Sequence, residues 1–208
     1  MCALVEDSPS GGTLRRIAVA VSPHTNIMSE RTLITGFGAF GVIAENPSAK
    51  LAELCGRPFH VLEVAYQAVD EFLSGLLPDS FDRLLMLGVA ANRDRLTPEL
   101  FARNMIGKAR DVRGDAPIGY IEVGAPLILE STLWTPEVAS EIVAYDPHTK
   151  LSMDGGDYLC NYIGYRALEK FPRNQVGFLH VAPIERLPLE TQVASLQRIL
   201  TVVERQAP

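Results

Sequence analysis

The stretch "TLITGFGAFG", residues 32–41, decides the fold of this chain. Its apolar start is typical of a buried strand. Three glycines follow in the G-x-G-x-x-G spacing of dinucleotide-binding loops: Gly36, Gly38 and Gly41. Glu63 lies about 20 residues on, where such a fold needs an acid for the ribose. The stretch is therefore either a dinucleotide-binding loop or a loop that presents two phenylalanines, Phe37 and Phe40, as walls of an apolar pocket.

The residues after the glycines favour the second interpretation. In a dinucleotide fold the helix begins directly after the third glycine, so that its N-terminus faces the pyrophosphate. Here "VIAE" intervenes, and Asn46 and Pro47 form a natural N-cap and first helical position several residues later. The segment "FHVLEVAY" is expected to be one strand, which would place Glu63 inside the strand and not at its end.

The composition is that of one α/β domain with a substantial core, since 47% of the 208 residues are hydrophobic. A net charge of -6 without a basic cluster argues against nucleic acid or an anionic membrane as the main partner. No apolar run approaches the roughly 18 residues of a transmembrane helix. We expect residues 28–208 to form a single domain, and residues 1–27 to be a weakly ordered extension or a segment from an upstream start.

The three cysteines indicate a reducing, cytoplasmic location. The chain has an odd number of cysteines, and no two of them form a C-x-x-C pair: Cys2, Cys55 and Cys160. This usage fits neither a disulfide framework nor a zinc site.

From Arg31 onward the chain alternates strand-like and helix-like segments. The predicted strands are 31–37, 59–66, 81–90 and 175–183, and the predicted helices are 46–55, 68–77, 135–145, 158–171 and 189–206. Residues 92–134 are rich in Pro and Gly and should form short strands and long loops. The alternation predicts an α/β fold, a three-layer α/β/α sandwich with a mostly parallel twisted central sheet and ligands at the carboxyl ends of its strands.

Three side chains are candidates for chemistry at that edge. Cys160 lies near a predicted helix start, where the positive end of the helix dipole favours the thiolate. His180 lies near the end of the next strand, so the two can form a nucleophile and general base. Glu99, on a loop after the central strand, could orient the imidazole. Each also has an ordinary explanation, as a buried thiol, a core histidine and a solvated glutamate.

Four sequence blocks resemble one known family in content and order. They are "GFGAFG" followed by "NPS", "GVAANR" followed by "ELFARN", "YLCNY", and "GFLHVAP". Over residues 31–205 the chain resembles the pyroglutamyl peptidase I (pyrrolidone-carboxylate peptidase) family of cysteine peptidases.

The resemblance implies a role for each candidate. Cys160 would be the nucleophile, His180 the base and Glu99 the orienting acid, while Arg93 and the Cys160 amide would stabilise the oxyanion. The implied substrate-binding residues are Phe37, Phe40, Asn46, Tyr158 and Leu159. The two phenylalanines would be walls of a pocket for a small flat lactam ring, or else ordinary core residues.

The resemblance also implies the substrate and the assembly. The substrate would be a small peptide blocked at its N-terminus by a pyroglutamyl group, and no metal or other cofactor would be needed. A homodimer or homotetramer is expected.

Several positions depart from the family pattern and keep the substrate open. Ala39 and Val42 replace a proline and a glycine of the phenylalanine loop, and Asp157 stands where threonine is usual. Asp157 would oppose ionisation of the nearby thiol by like-charge repulsion. The alternatives are a thiol amidohydrolase for another small N-acyl or cyclic amide substrate, and a catalytically silent binding protein on the same fold.

Overall fold

The computed structural model describes residues 31–41 and 43–206, and the predicted extension 1–27 lies outside the described residues. The strands are β1 (Thr32–Phe37), β2 (Phe59–Leu62), β3 (Arg83–Val89), β4 (Thr97–Glu99), β5 (Phe101–Arg103), β6 (Ile128–Glu130) and β7 (Gln175–Val181). The helices are α1 (Pro47–Leu54), α2 (Tyr66–Gly75), α3 (Pro136–Tyr145), α4 (Leu159–Lys170) and α5 (Leu189–Glu204).

The main sheet has the strand order β2-β1-β3-β7-β4. Its first four strands are parallel, and β4 pairs with β7 in the antiparallel direction. The continuous apolar run in β3 fits the centre of the sheet, where both faces of the strand are buried. β5 and β6 form a separate antiparallel pair. The mostly parallel sheet that the sequence predicts is confirmed.

Helices cover both faces of this sheet. Leu51, Ile142 and Ile199 belong to one buried apolar cluster, which joins the sheet to α1, α3 and α5. Val69 and Ile163 belong to a second cluster, which joins the opposite face to α2 and α4. The three-layer arrangement is therefore as predicted. Within the described ranges, no helix is long and apolar enough to cross a membrane.

Local capping chemistry sets where α1 and α3 begin. The Asn46 side chain accepts a hydrogen bond from the Ser48 amide at 3.1 Å, and Thr135 accepts one from the Val138 amide at 3.3 Å. A proline occupies the first position of each helix. Since α1 begins at Pro47, no helix starts directly after Gly41 as a dinucleotide-binding loop requires.

The expectation for Glu63 was wrong. β2 ends at Leu62, so Glu63 follows the strand and does not lie inside it. The physical reason is that the Asp111 carboxylate accepts from the Tyr66 amide at 3.0 Å and so supports an early start of α2. The Glu63 carboxylate accepts from Arg113 Nε at 3.1 Å on the surface.

The first glycine of the opening stretch serves packing. A Cβ atom added to Gly36 would lie 2.4 Å from the backbone oxygen of Ser48 and 2.8 Å from the Cα of Ala49. Only a residue without a side chain lets the start of α1 approach β1 this closely. The first glycine of the pattern therefore has a packing role that does not require a dinucleotide.

Gly36→Ala is expected to destabilise the fold, because the new methyl group collides with backbone and not with a movable side chain. We expect a loss of about 1–3 kcal/mol in the free energy of unfolding, measured as a lower urea midpoint. Gly75→Ala is the matched control: its Cβ meets nothing within 4 Å at the end of α2, and alanine favours a helix. Equal midpoints for the two variants would contradict the packing role of Gly36.

Candidate active site

The topology brings Cys160, His180 and Glu99 together at the carboxyl edge of the sheet. Cys160 is the second residue of α4, and His180 is near the end of β7. Glu99 ends β4, whose antiparallel pairing sets Thr97 opposite His180. The parallel crossover through α4 returns the chain to the start of β7, so helix start and strand end share one edge.

Gly88 of β3 makes room for the sulfur. It is the register partner of His180 in the neighbouring strand. A Cβ atom on Gly88 would lie 2.7 Å from Cys160 Sγ and 2.7 Å from Phe178 Cζ. Sequence reasoning did not single out this glycine, although a glycine inside an apolar strand is a signal of close approach by another group.

The His180 ring is held by Glu99. His180 Nδ1 and Glu99 Oε1 are 2.7 Å apart, and the two residues are only 5% and 3% exposed. A carboxylate at Nδ1 fixes the proton there, which leaves Nε2 for Cys160. The orienting role predicted for Glu99 therefore has the geometry it needs.

The charges around the ring raise the pKa of His180 to about 9 from its ordinary value of 6.5. Burial acts in the opposite sense and is the largest single influence, but the charges and hydrogen bonds of Cys160 and Glu99 together outweigh it. At neutral pH His180 therefore carries its proton. A protonated imidazole beside a thiol favours the thiolate, which is the nucleophilic form.

Arg93 lies on the Glu99 side of the site. Its Nη2 donates to Glu99 Oε1 at 3.1 Å, to Ser152 Oγ at 2.9 Å and to the Asp154 carbonyl at 3.2 Å. None of the hydrogen bonds found for it in the described part of the chain reaches Cys160. The structure thus gives no support to Arg93 as an oxyanion donor, because its guanidinium is engaged behind the carboxylate.

The start of α4 can supply the oxyanion donors instead. Among the described residues, no side chain caps this helix, whose cap position is Tyr158. Its first amides, including that of Cys160, are therefore open to a developing negative charge. The sequence-based prediction for the Cys160 amide is compatible with this geometry.

The predicted substrate-binding residues divide into two groups. Phe37 and Leu159 are 3% and 1% exposed and belong to the apolar cluster beneath α2 and α4. Phe40 and Tyr158 are partly buried against that cluster. Phe37 and Leu159 thus act as core, whereas Phe40 and Tyr158 can still meet a ligand.

The side chain of Asn46 forms hydrogen bonds within the loop and the start of α1. Its Nδ2 donates to the Gly38 carbonyl at 2.9 Å, and its Oδ1 accepts from the Ser48 amide and hydroxyl at 3.1 and 2.8 Å. Asn46 is only 3% exposed. These contacts make it an architectural residue, and the substrate contact predicted for it finds no support in them.

Asn161, which the sequence reasoning did not assign, fixes the start of α4. Its Nδ2 donates to the carbonyls of Arg103 and Met105 at 2.8 and 3.0 Å, and its Oδ1 accepts from the Arg103 amide at 2.7 Å. It directly follows the nucleophile, so these bonds set the position of Cys160. Asn161 is part of the "CNY" block, but its role could not be inferred there because its hydrogen-bond partner Arg103 lies 58 positions away in the sequence.

A cleft of about 400 Å³ opens at the same edge of the sheet. It is lined by Ile43, Ala44, Glu45, Pro47, Val89, Pro183, Ile184 and Glu185. Val89 directly follows Gly88 but packs against the cluster of α1, α3 and α5, so the cleft lies on the face of the sheet opposite the sulfur. A larger hollow of about 610 Å³ lies between α2 and α4 and contains none of the three candidate residues. Within the described residues, no group of three or more His, Cys, Asp or Glu side chains is placed to hold a metal ion.

Comparison with known proteins decides the family. The family model for pyroglutamyl peptidase matches residues 30–203. The chain belongs to the pyroglutamyl peptidase family. The resemblance seen in the four sequence blocks is thereby confirmed.

Individual relatives agree with this assignment. A pyrrolidone-carboxylate peptidase of Staphylococcus saprophyticus is 30% identical over 165 residues, which are 73% of this chain and 78% of that protein. The crystal structure of pyrrolidone carboxyl peptidase from Thermus thermophilus has a TM-score of 0.73 and 30% identity, covering 81% of this chain and 98% of that one. Pyroglutamyl peptidase I of Bacillus amyloliquefaciens has a TM-score of 0.77 at 21% identity over 85% of this chain and 98% of that one, and supports the fold. This pyroglutamyl peptidase family member is a cysteine-type peptidase.

The His180 titration tests the thiolate–imidazolium pair. We expect His180 to lose its proton near pH 9 in the ligand-free protein, followed by NMR of the histidine rings. Cys160→Ala removes the neighbouring negative charge and should lower the pKa of His180. Cys55→Ala, which removes a buried thiol at the end of α1, should leave it unchanged. A His180 pKa that does not respond to Cys160→Ala would contradict the pair.

Proposed function

We propose that this chain hydrolyses the amide bond that follows an N-terminal pyroglutamyl (5-oxoprolyl) residue of a peptide. One observation carries the proposal: a member of the pyroglutamyl peptidase family has its thiol at a helix start, beside a buried histidine whose other nitrogen is bonded to a buried glutamate.

The first half of the reaction is acylation. The Cys160 thiolate attacks the pyroglutamyl carbonyl carbon and forms a C–S bond, while the carbonyl oxygen becomes an oxyanion at the first amides of α4. The proton on His180 Nε2 then passes to the departing amine as the C–N bond breaks. The products of this half are a thioester on Cys160 and the shortened peptide.

The second half is deacylation. His180, now neutral, takes a proton from water, which attacks the thioester carbonyl. Collapse of the second tetrahedral intermediate releases 5-oxoproline and returns the thiolate and imidazolium. Glu99 keeps the ring orientation through both halves, since its bond to Nδ1 leaves Nε2 for proton transfer.

The pyroglutamyl ring would lie against Phe40 and Tyr158. Both side chains are partly buried beside the apolar cluster that contains Phe37 and Leu159, and a small flat lactam suits such a surface. Tyr158 is held in place by its hydroxyl, which donates to the Arg110 carbonyl at 3.0 Å. We further propose that the leaving peptide crosses the sheet edge toward the cleft that begins at Val89.

A second substrate class is favoured by Asp157. This residue replaces the usual threonine three positions before Cys160, and it is exposed. Its carboxylate oxygen would be 2.3 Å from a Cβ atom on Gly107, so the loop carrying Gly107 closes against it. An altered wall at this point favours a different small N-acyl or cyclic amide. The hydrogen bond between His180 and the buried Glu99, at the edge where Cys160 lies, argues against a catalytically silent binding protein.

Self-association and a cytoplasmic location are part of the proposal. The segment 118–128 exposes several large apolar side chains, with Ile118, Tyr120, Val123 and Leu127 between 63% and 84% accessible. Apolar surface of this kind is typical of protein–protein contacts, and it supports a homodimer or homotetramer. Both described cysteines, Cys55 and Cys160, are free thiols, as expected in a reducing compartment.

Cys160→Ala should abolish hydrolysis of a pyroglutamyl-coumarin substrate, by at least about 10⁴-fold, because the thioester cannot form. The matched control is Cys55→Ala, which should retain turnover with at most a modest loss of stability. Circular dichroism of both variants checks the fold. Unchanged turnover in Cys160→Ala would refute the assignment.

A panel of N-blocked coumarin amides separates the two substrate classes. If the pyroglutamyl proposal is right, the pyroglutamyl compound should have the highest kcat/KM of a set that includes acetyl, formyl and six-membered lactam analogues. A higher value for another compound, lost in Cys160→Ala, would assign the alternative class to the same site.

A further inference from the structure

We infer that Arg93 is a positioning residue: it holds the Glu99 carboxylate in the orientation that faces His180, and does not act as an oxyanion donor. The inference rests on the proposed function, because it concerns the same thiol site. It differs from the role that the family resemblance implied for Arg93.

Only one of the two oxygens of the Glu99 carboxylate accepts hydrogen bonds within the described residues. Oε1 accepts from both His180 Nδ1 at 2.7 Å and Arg93 Nη2 at 3.1 Å. Oε2 is buried and has no hydrogen-bond partner in the part of the chain that the structure describes. The side chain is 2% exposed, so water cannot replace a lost contact at low cost. Arg93 is therefore the contact that can stop the carboxylate from turning away from the ring.

The buried Glu99 carboxylate has two basic partners, His180 at 2.7 Å and Arg93 at 3.1 Å. Asp154, on the loop before α4, has its carboxylate bound to the Arg103 guanidinium and so is paired elsewhere. Without Arg93 the buried carboxylate would keep only His180 as a basic partner, and an incompletely compensated buried charge is costly in a medium of low dielectric constant.

Arg93 is itself fixed by the segment that leads to the nucleophile. Its Nη2 also donates to Ser152 Oγ and to the Asp154 carbonyl, at 2.9 and 3.2 Å. Ser152 is bonded to both sides of Glu99, since its amide donates to the Pro98 carbonyl at 3.0 Å and its carbonyl accepts from the Leu100 amide at 2.8 Å. One guanidinium thus joins the acid to the loop before α4. All three contacts are made by one nitrogen, Nη2, so a lysine ammonium that reached the same place could replace part of them.

The test compares Arg93→Met and Arg93→Lys with the matched control Arg95→Met, a change of an exposed arginine two positions along the same loop. We measure kcat and KM with a pyroglutamyl-coumarin substrate, and the titration of His180 by NMR without substrate. Arg93→Met should lower kcat about 10- to 100-fold with little change in KM, which is less than the loss that follows removal of an orienting carboxylate. Arg93→Lys should recover part of it, and Arg95→Met should match the unmodified protein.

The His180 titration gives a sign that other roles would not produce. Without Arg93 the Glu99 carboxylate can turn away from the ring, so His180 loses part of the contact that stabilises its protonated form, and its pKa should fall below the value in the unmodified protein. A lower kcat with an unchanged or raised His180 pKa would instead indicate that Arg93 acts only through its charge or on the oxyanion, and would overturn the inference.

The two proposals fail in different ways. If the pyroglutamyl substrate is not hydrolysed by the unmodified protein, the proposed function is wrong. The His180 titration needs no substrate and still reports whether Arg93 acts on Glu99.

Discussion

The 2.7 Å hydrogen bond between His180 Nδ1 and Glu99 Oε1 is the contact on which the site depends. It forms because β4 runs antiparallel to β7 at the end of an otherwise parallel sheet, which turns the end of β4 back beside the ring. Both side chains are buried, so the bond acts in a medium where an ionic contact is far stronger than in water. A ring fixed at Nδ1 can present only Nε2 to the sulfur. The bond to Glu99 therefore makes His180 a base whose free nitrogen faces Cys160.

Two glycines allow neighbouring elements to pack closely enough to form the site. Gly36 lets α1 approach β1, and Gly88 leaves space for the Cys160 sulfur next to His180. In both places the constraint is a contact with a neighbouring element that a methyl group would prevent. Gly36 of the opening stretch is thus explained by packing, and the sulfur of Cys160 fits beside β3 because residue 88 of that strand has no side chain. Asn161 then fastens the helix start to β5, so that sulfur, ring and acid keep their relative positions.

The sequence predicted what local chemistry controls. The Asn46–Pro47 and Thr135–Pro136 pairs marked two helix starts, and the apolar run of β3 marked the central strand. Cys160 and His180 could be brought together because one helix and one turn separate them in a parallel unit. Glu63 and Arg93 were interpreted wrongly or without structural support. Their environments are set by Asp111 and by Ser152 and Asp154, which lie 45 or more positions away along the chain and leave no mark in the surrounding residues.

The reactivity of Cys160 toward iodoacetamide at pH 6 tests the central claim most directly, with peptide mapping to locate the modified residue. A thiolate held by His180 should be alkylated much faster than an ordinary thiol, with turnover lost in proportion, while Cys55, which is 1% exposed, stays unmodified in the folded protein. Replacing His180 by Ala should remove this reactivity. If Cys160 reacts no faster than a free thiol at that pH, or if turnover survives its complete alkylation, the account of a cysteine peptidase at this edge of the sheet is wrong.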